Sequence, residues 1–346
     1  MVGAVIVIVL IVAAAGYYGY VAGLGNTQIN TTSAKKTFRI VIFDATVSSD
    51  QWGVAIKTGL DQAINKLNNT KGYAIKVTYV WSVDPSDVAN QMRTYAGQGY
   101  NLIIPNDVTY ESATDAVVKD FPNIQFLGGG GFSTNLAPNL GAYAWDPWRG
   151  YYEAGVLAGS VTKTNTIGFV TAFSFDQANE AVNAFWLGAN LTKPHVKIVY
   201  AFSASWTDAT KGSSAAASLV AQGADVVAGM GGTMSNGAVA GAAQAGAYAV
   251  GYLHDAGSIA PSKVLTSVLW NTTSYFTRAI QLAQAGQLGF VYLNFKIYPN
   301  QVVYLAPTTN VPSDKLAQAN TILSQITSGK LVEPEITTLP SQGQAA

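Results

Sequence analysis

The feature that most constrains this chain is an internal duplication. "FRIVIFDATVSSDQWGVAIKTGL" at 38–60 resembles "IGFVTAFSFDQANEAVNAFWLGA" at 167–189: an apolar run, a polar loop ending in Asp-Gln, then a helical pattern closing near a Gly. The match continues. "DVANQMRTYAGQGYNLIIP" at 87–105 parallels "SSAAASLVAQGADVVAGM" at 213–230, each a helix, a Gly turn and another apolar strand. A repeated strand–helix–strand unit buries its apolar faces in parallel sheets covered by helices. The expected architecture is therefore two similar α/β lobes. In open parallel sheets ligands sit beyond the carboxyl ends of the strands, so two facing lobes define one cleft.

Strand candidates include Phe38–Asp44, Ile75–Trp81, Leu102–Pro105, Thr166–Thr171, Val196–Phe202, Asp225–Met230, Tyr248–Gly251 and Val264–Val268. Between the first two, Ile56, Leu60, Ala63, Ile64 and Leu67 recur at helical spacing. The pattern places the first lobe at 38–162 with a return at about 270–292. The second takes 163–269 with about 293–330, and 331–346 forms a tail.

Ahead of the lobes stands "MVGAVIVIVLIVAAAGYYGYVAGLG", residues 1–25, uncharged and long enough to span a bilayer. Residues 26–37 are polar and read as a linker. A secretory signal would begin with basic residues, which this segment lacks. Lys35 and Lys36, the first charges, would by the positive-inside rule put the lobes in the cytoplasm. A short basic leader removed ahead of Met1, as in proteins with pilin-like archaeal signals, would instead leave them outside. Sequons at Asn30, Asn68, Asn190 and Asn271 fit an exported glycoprotein.

Several chemistries are excluded or disfavoured. There is no cysteine, hence no disulfide, thiol nucleophile, thiolate metal site or lipid-modified cysteine anchor. His195 and His254 are the only histidines, too few for a histidine-rich metal site, and no cofactor is implied. Acidic and basic residues balance at 19 each, so no net field draws the chain to nucleic acid. "GMGGTM" at 229–234 lacks the third glycine of a dinucleotide fingerprint, and "GGGG" at 128–131 lacks the Lys of a phosphate loop. "SVTK" at 160–163 has the spacing of a penicillin-binding nucleophile without its partner motifs. An enzyme is not expected.

Aromatic residues at strand-to-helix junctions are the positive signal. Trp52, Phe173, Phe175 and Trp206 follow predicted strands by a few residues, and Trp145, Trp148 and Trp270 lie near other junctions. Together they fit a slot for a flat ring, although any one could be a packing aromatic. Asp44, Asn106, Asp107, Asn183, Asp208 and Asp255 supply polar neighbours, with Gly231 allowing close backbone approach. Asp208 is equally an N-cap candidate. Asp255, past the strand "YAVGY", is placed to accept from a ribose diol.

"VNAFWLGA" at 182–189, "SWTD" at 205–208, "LVAQGADVV" at 219–227, "AAQAGAYAVGY" at 242–252 and "VLTSVLW" at 264–270 together resemble the basic membrane protein family, the PnrA-like substrate-binding proteins of ABC transporters. The resemblance runs from about residue 38 to 300. It implies a fold like that of type I periplasmic binding proteins and a purine nucleoside or related ligand. It also implies that Trp52 stacks on the base, that Asp44 holds the early acidic position, that Asn183 and Phe185 match the family's "NAF" segment, and that Asp255 sits in its sugar-contacting loop. Two departures stand out: Gly53 replaces a common Asn, and Trp270 stands where many members carry Lys.

The expected function is that of a membrane-anchored, extracytoplasmic solute-binding protein that closes two hinged lobes on a nucleoside or nucleobase and passes it to an ABC permease. The rivals are a ligand sensor of the same fold and a surface filament subunit that self-assembles through its apolar N-terminus.

Overall fold

The computed structural model describes residues 37–71, 74–132, 136–145, 147–295, 303–332 and 334–346. The apolar segment 1–25, nearly all of the linker and Asn30 lie outside the described residues.

The duplication is realised as two six-stranded sheets. The first contains β1 (Phe38–Phe43), β2 (Ile75–Val80), β3 (Leu102–Pro105), β4 (Gln125–Gly128) and β5 (Leu140–Trp145), in the order β2-β1-β3-β4-β5. The second repeats that order with β6 (Thr166–Thr171), β7 (Lys197–Phe202), β8 (Val226–Met230), β9 (Tyr248–Leu253) and β10 (Val264–Trp270). All these pairings are parallel. Late strands complete each edge: β11 (Tyr292–Phe295) joins β5 in parallel, and β12 (Val303–Leu305) joins β10 antiparallel.

Helices cover the sheets where the apolar periodicity demands. On α1 (Gln51–Lys71), Ile56, Leu60, Ala63, Ile64 and Leu67 are all buried. In the first lobe α2 (Val88–Gly97) and α3 (Glu111–Val118) follow. The helix α4 (Pro147–Val161) packs instead on α5 (Asp176–Asn190) of the second lobe. The cause is a pair of close backbone approaches. A Cβ on Gly188 would lie 2.0 Å from Tyr152 O, and one on Gly155 would lie 2.2 Å from Phe185 O. By its packing α4 therefore sits with the second sheet and not the first.

The second lobe also carries α6 (Ala209–Ala221) and α7 (Thr233–Gln244). The chain then returns, and α8 (Thr273–Gln284) packs on α1. β11 extends this return to Phe295, a little past the expected 292. After β12, α9 (Ser313–Thr327) lies against α4.

The last residues extend the second sheet. Gly343 donates to Ile198 O, Ile198 to Gln344 O and Ala346 to Val196 O, so the end of the chain runs antiparallel along β7. This covers an edge strand whose backbone groups would otherwise face water.

Candidate functional site

Both sheets have the strand order whose switch point lies between the first and third strands, where the chain leaves in opposite directions and opens a crevice. A cleft of about 740 Å³, counted to its open mouth, lies at these ends. The first lobe supplies Thr46, Asp50 and Trp52 after β1, Asn106 to Val108 after β3, and Gly130 and Gly131 after β4. The second supplies Phe175 and Gln177 after β6, Trp206 after β7, Met230 to Gly232 at β8, Tyr252 and Leu253 at β9, and Trp270 at β10.

Asp44 organises the first-lobe wall from behind it. Its carboxylate is 1% exposed. Oδ1 accepts from the Thr46 backbone N–H at 2.9 Å and the Thr46 hydroxyl at 2.8 Å. Oδ2 accepts from the Trp52 indole N–H at 3.0 Å and the Asn106 amide at 2.7 Å. The Asn106 carbonyl in turn accepts from the Tyr143 hydroxyl. Burial pushes the Asp44 carboxyl up to about 6, against the lowering effect of the Thr46 and Asn106 hydrogen bonds. Thus Asp44 orients Trp52 and Asn106 and is not itself part of the cleft lining.

Two aromatic clusters border the cleft, and one of them crosses between the lobes. Trp52 and Trp270 meet edge to face, with centroids 5.6 Å apart and planes at 80°. Trp270 meets Tyr252 likewise at 5.1 Å and 89°. Trp206 lies against Phe175 at 5.8 Å and Phe173 at 5.5 Å. Such contacts hold the rings in fixed orientations.

Backbone conformation shapes the walls. Gly130 and Gly131 have φ of +77° and +102°, which only glycine adopts freely. Leu253 is held at φ +67°, a strained value for a branched residue and one that clusters at ligand sites. Gly53 follows from packing: a Cβ there would come 2.8 Å from Val47 O and 3.1 Å from the Trp81 ring.

Of the sequence-selected residues, the structure brings Trp52, Asn106, Asp107, Phe175, Trp206, Gly231 and Trp270 to the cleft, with Asp44 directly behind. Five others lie elsewhere. Phe185 is fully buried on α5 against Phe169, because that face packs on the sheet. Asn183 donates to Asn179 O, Ile336 O and Thr338 O, holding the final segment of the chain. Asp255 is exposed and accepts from Gly257 N–H at 2.9 Å, capping a short 3-10 turn. Phe173 is 45% exposed and supports Trp206 from outside. Asp208 caps α6, accepting from Thr210 and Lys211 N–H.

Among the sequons, the Asn68 amide donates to Ile75 O, so a glycan there would displace that bond. Asn190 accepts from His195 N–H, and Asn271 is exposed beside α8.

Sequence reasoning passed over Asp50, Gln177 and Tyr252. The first two were visible as the Asp-Gln pair shared by the repeats, at 50–51 and 176–177. One member of each pair faces the cleft.

A family model described as "ABC transporter substrate-binding protein PnrA-like" matches residues 39–327. A purine-binding protein of Brucella abortus is 28% identical over 274 residues, covering 78% of this chain and 76% of its own length. A Haloferax volcanii protein named for ABC transporter glucose binding is 29% identical over 212 residues, 61% of this chain and 53% of that one. The crystal structure of a transcriptional activator of the comK gene from Bacillus halodurans superposes with a TM-score of 0.66 at 20% identity, covering 86% of this chain and 100% of the other.

Proposed function

This chain belongs to the PnrA-like family of ABC transporter substrate-binding proteins, and we propose that, at the outer face of the cytoplasmic membrane, it captures a purine nucleoside, or a purine-like base, between its lobes and delivers it to an ABC permease. The observation that carries this reading is the lining itself. Trp52, Phe175, Trp206, Tyr252 and Trp270 face the cleft, and no Lys, Arg or His is among the described lining residues. Stacking a base on an aromatic ring gains about 1–3 kcal/mol.

The two ligand classes named among the relatives make different demands. A hexose presents hydroxyls on every side and loses affinity wherever one is buried unpaired. Here most polar side chains in the wall are already engaged with protein: Thr46 and Asn106 with Asp44, and Asp50 with Trp52 and Thr233. Asp107 uses one oxygen on Thr109, leaving its other oxygen and the Gln177 amide for a ligand. That supply suits the edge of a base better than a sugar ring. In the same reading, residues 1–25 tether the lobes to the membrane through the linker.

Thermal denaturation in the presence of adenosine, guanosine, inosine, the free bases and glucose tests the proposal. A ligand at a hundred times its dissociation constant stabilises the fold by about 2.7 kcal/mol. The proposal requires the largest shift from a purine; glucose raising the melting temperature while every purine leaves it unchanged would refute it. The fold shared with a transcriptional activator favours a second reading, a nucleoside sensor. Stimulation of a reconstituted permease ATPase by the loaded protein separates transport from sensing.

A further inference from the structure

Asp50 carries no role in the reading above, yet it is 1% exposed in the wall of an open cleft. Its Oδ1 accepts the backbone N–H of Trp52 at 2.9 Å, at the start of α1. Its Oδ2 accepts both the backbone N–H and the hydroxyl of Thr233, each at 2.8 Å. Thr233 is the first residue of α7, 183 positions away and in the opposite lobe. One carboxylate therefore holds the tryptophan of the first lobe and the helix terminus of the second.

The second lobe is shaped to receive it. A Cβ on Gly232 would lie 2.3 Å from Asp50 Oδ1 and 2.4 Å from Oδ2, so only glycine admits the carboxylate at this point. The N-terminus of α7 presents unsatisfied N–H groups and a partial positive charge, which favour an anion. Among the described lining residues there is no Lys, Arg or His to provide an alternative partner.

We propose that Asp50 is a positioning residue that couples Trp52 to closure of the two lobes. Parting the lobes breaks both bonds to Thr233 and leaves the bond to Trp52, which lies within one lobe. Closure thus completes the carboxylate's donor set while Trp52 is held against Asp44 and Trp270. The coupling is independent of which ligand enters; its effect on ligand release rests on the purine reading.

The absence of native cysteines allows site-specific labelling of the full-length chain at Asn90→Cys and Ala217→Cys, exposed positions on α2 and α6. Distances between the two labels in ligand-free protein report the separation of the lobes. Asp50→Ala is expected to shift the distribution to longer distances. Gly232→Ala, which leaves the charge in place and displaces it from the other side, is expected to do the same, and the double variant is expected to add nothing. With guanosine as probe, release from Asp50→Ala is expected to be about tenfold faster, with association little changed. Unchanged distances in both single variants would overturn the proposal. So would an additive double variant, or a shift in only one of the two, since either places the effect outside the Asp50–Gly232 contact. Should Asp50→Ala fail to fold, Gly232→Ala alone decides by the same distance measurement. If wild type binds no purine, the purine reading fails while the distance measurement still judges the latch.

Discussion

Asp44 Oδ2 accepts the indole N–H of Trp52 at 3.0 Å, from a carboxylate buried beneath the ring's own loop. Burial raises this carboxyl from the ordinary 3.8 to about 6. Between about pH 4 and 6 the folded protein therefore holds a proton that the unfolded chain has lost, and stability falls as pH rises through that window. The shift corresponds to about 3 kcal/mol, fully lost above pH 6. Asp44→Asn removes the titration. The difference in melting temperature between variant and wild type, followed from pH 4 to 7, is expected to move in the variant's favour as pH rises. A constant difference would show that Asp44 keeps an ordinary carboxyl.

Asn183 is expected to govern the tail and not the ligand. Its amide donates to three carbonyls, two of them at Ile336 and Thr338. Asn183→Ala should cost about 1–2 kcal/mol of stability and speed amide exchange at 338–346, with ligand affinity unchanged. Lost affinity at wild-type exchange rates would return Asn183 to the site.

Gly188 tests the contact that places α4 in the second lobe. A methyl there would meet Tyr152 O at 2.0 Å, and backbone cannot yield as a side chain can. Gly188→Ala is expected to lower stability by about 1–3 kcal/mol in a denaturant melt. A neutral outcome would mean that the two helices are not so closely packed.

The duplicated pattern foretold both lobes because each strand-to-helix period recurs with the same apolar spacing. The start and end of the chain's crossings were harder to read. Nothing in the run from Trp145 to Val161 says which sheet its apolar face will meet; that depends on small residues at Gly155 and Gly188, far apart in sequence. Site residues divide similarly. Trp52 and Trp206 were legible because a large aromatic just past a strand points toward the crevice. Asn183 and Phe185 lie in a motif of the same family, but on a helix face that packs inward. Asp50 was illegible as a bridge, since its partner Thr233 lies in the other repeat.

Residues 37–346 form one compact unit. Removing the first 36 residues is therefore expected to leave a protein that unfolds in one cooperative transition and retains ligand binding. An unfolded product would show that the apolar segment is required for the lobes.

Calorimetric titration of guanosine, adenosine and inosine into wild type and Trp52→Ala, paired with a denaturant melt of each, tests the central claim. If Trp52 stacks on a purine, at least one nucleoside binds wild type, and truncation weakens its Kd by about ten- to a hundredfold. Trp52→Phe retains the ring but not the donor to Asp44, so it should lie between the two. A nucleoside that binds wild type and Trp52→Ala with equal affinity, in a variant that unfolds far more readily, would contradict the claim and make Trp52 a packing residue.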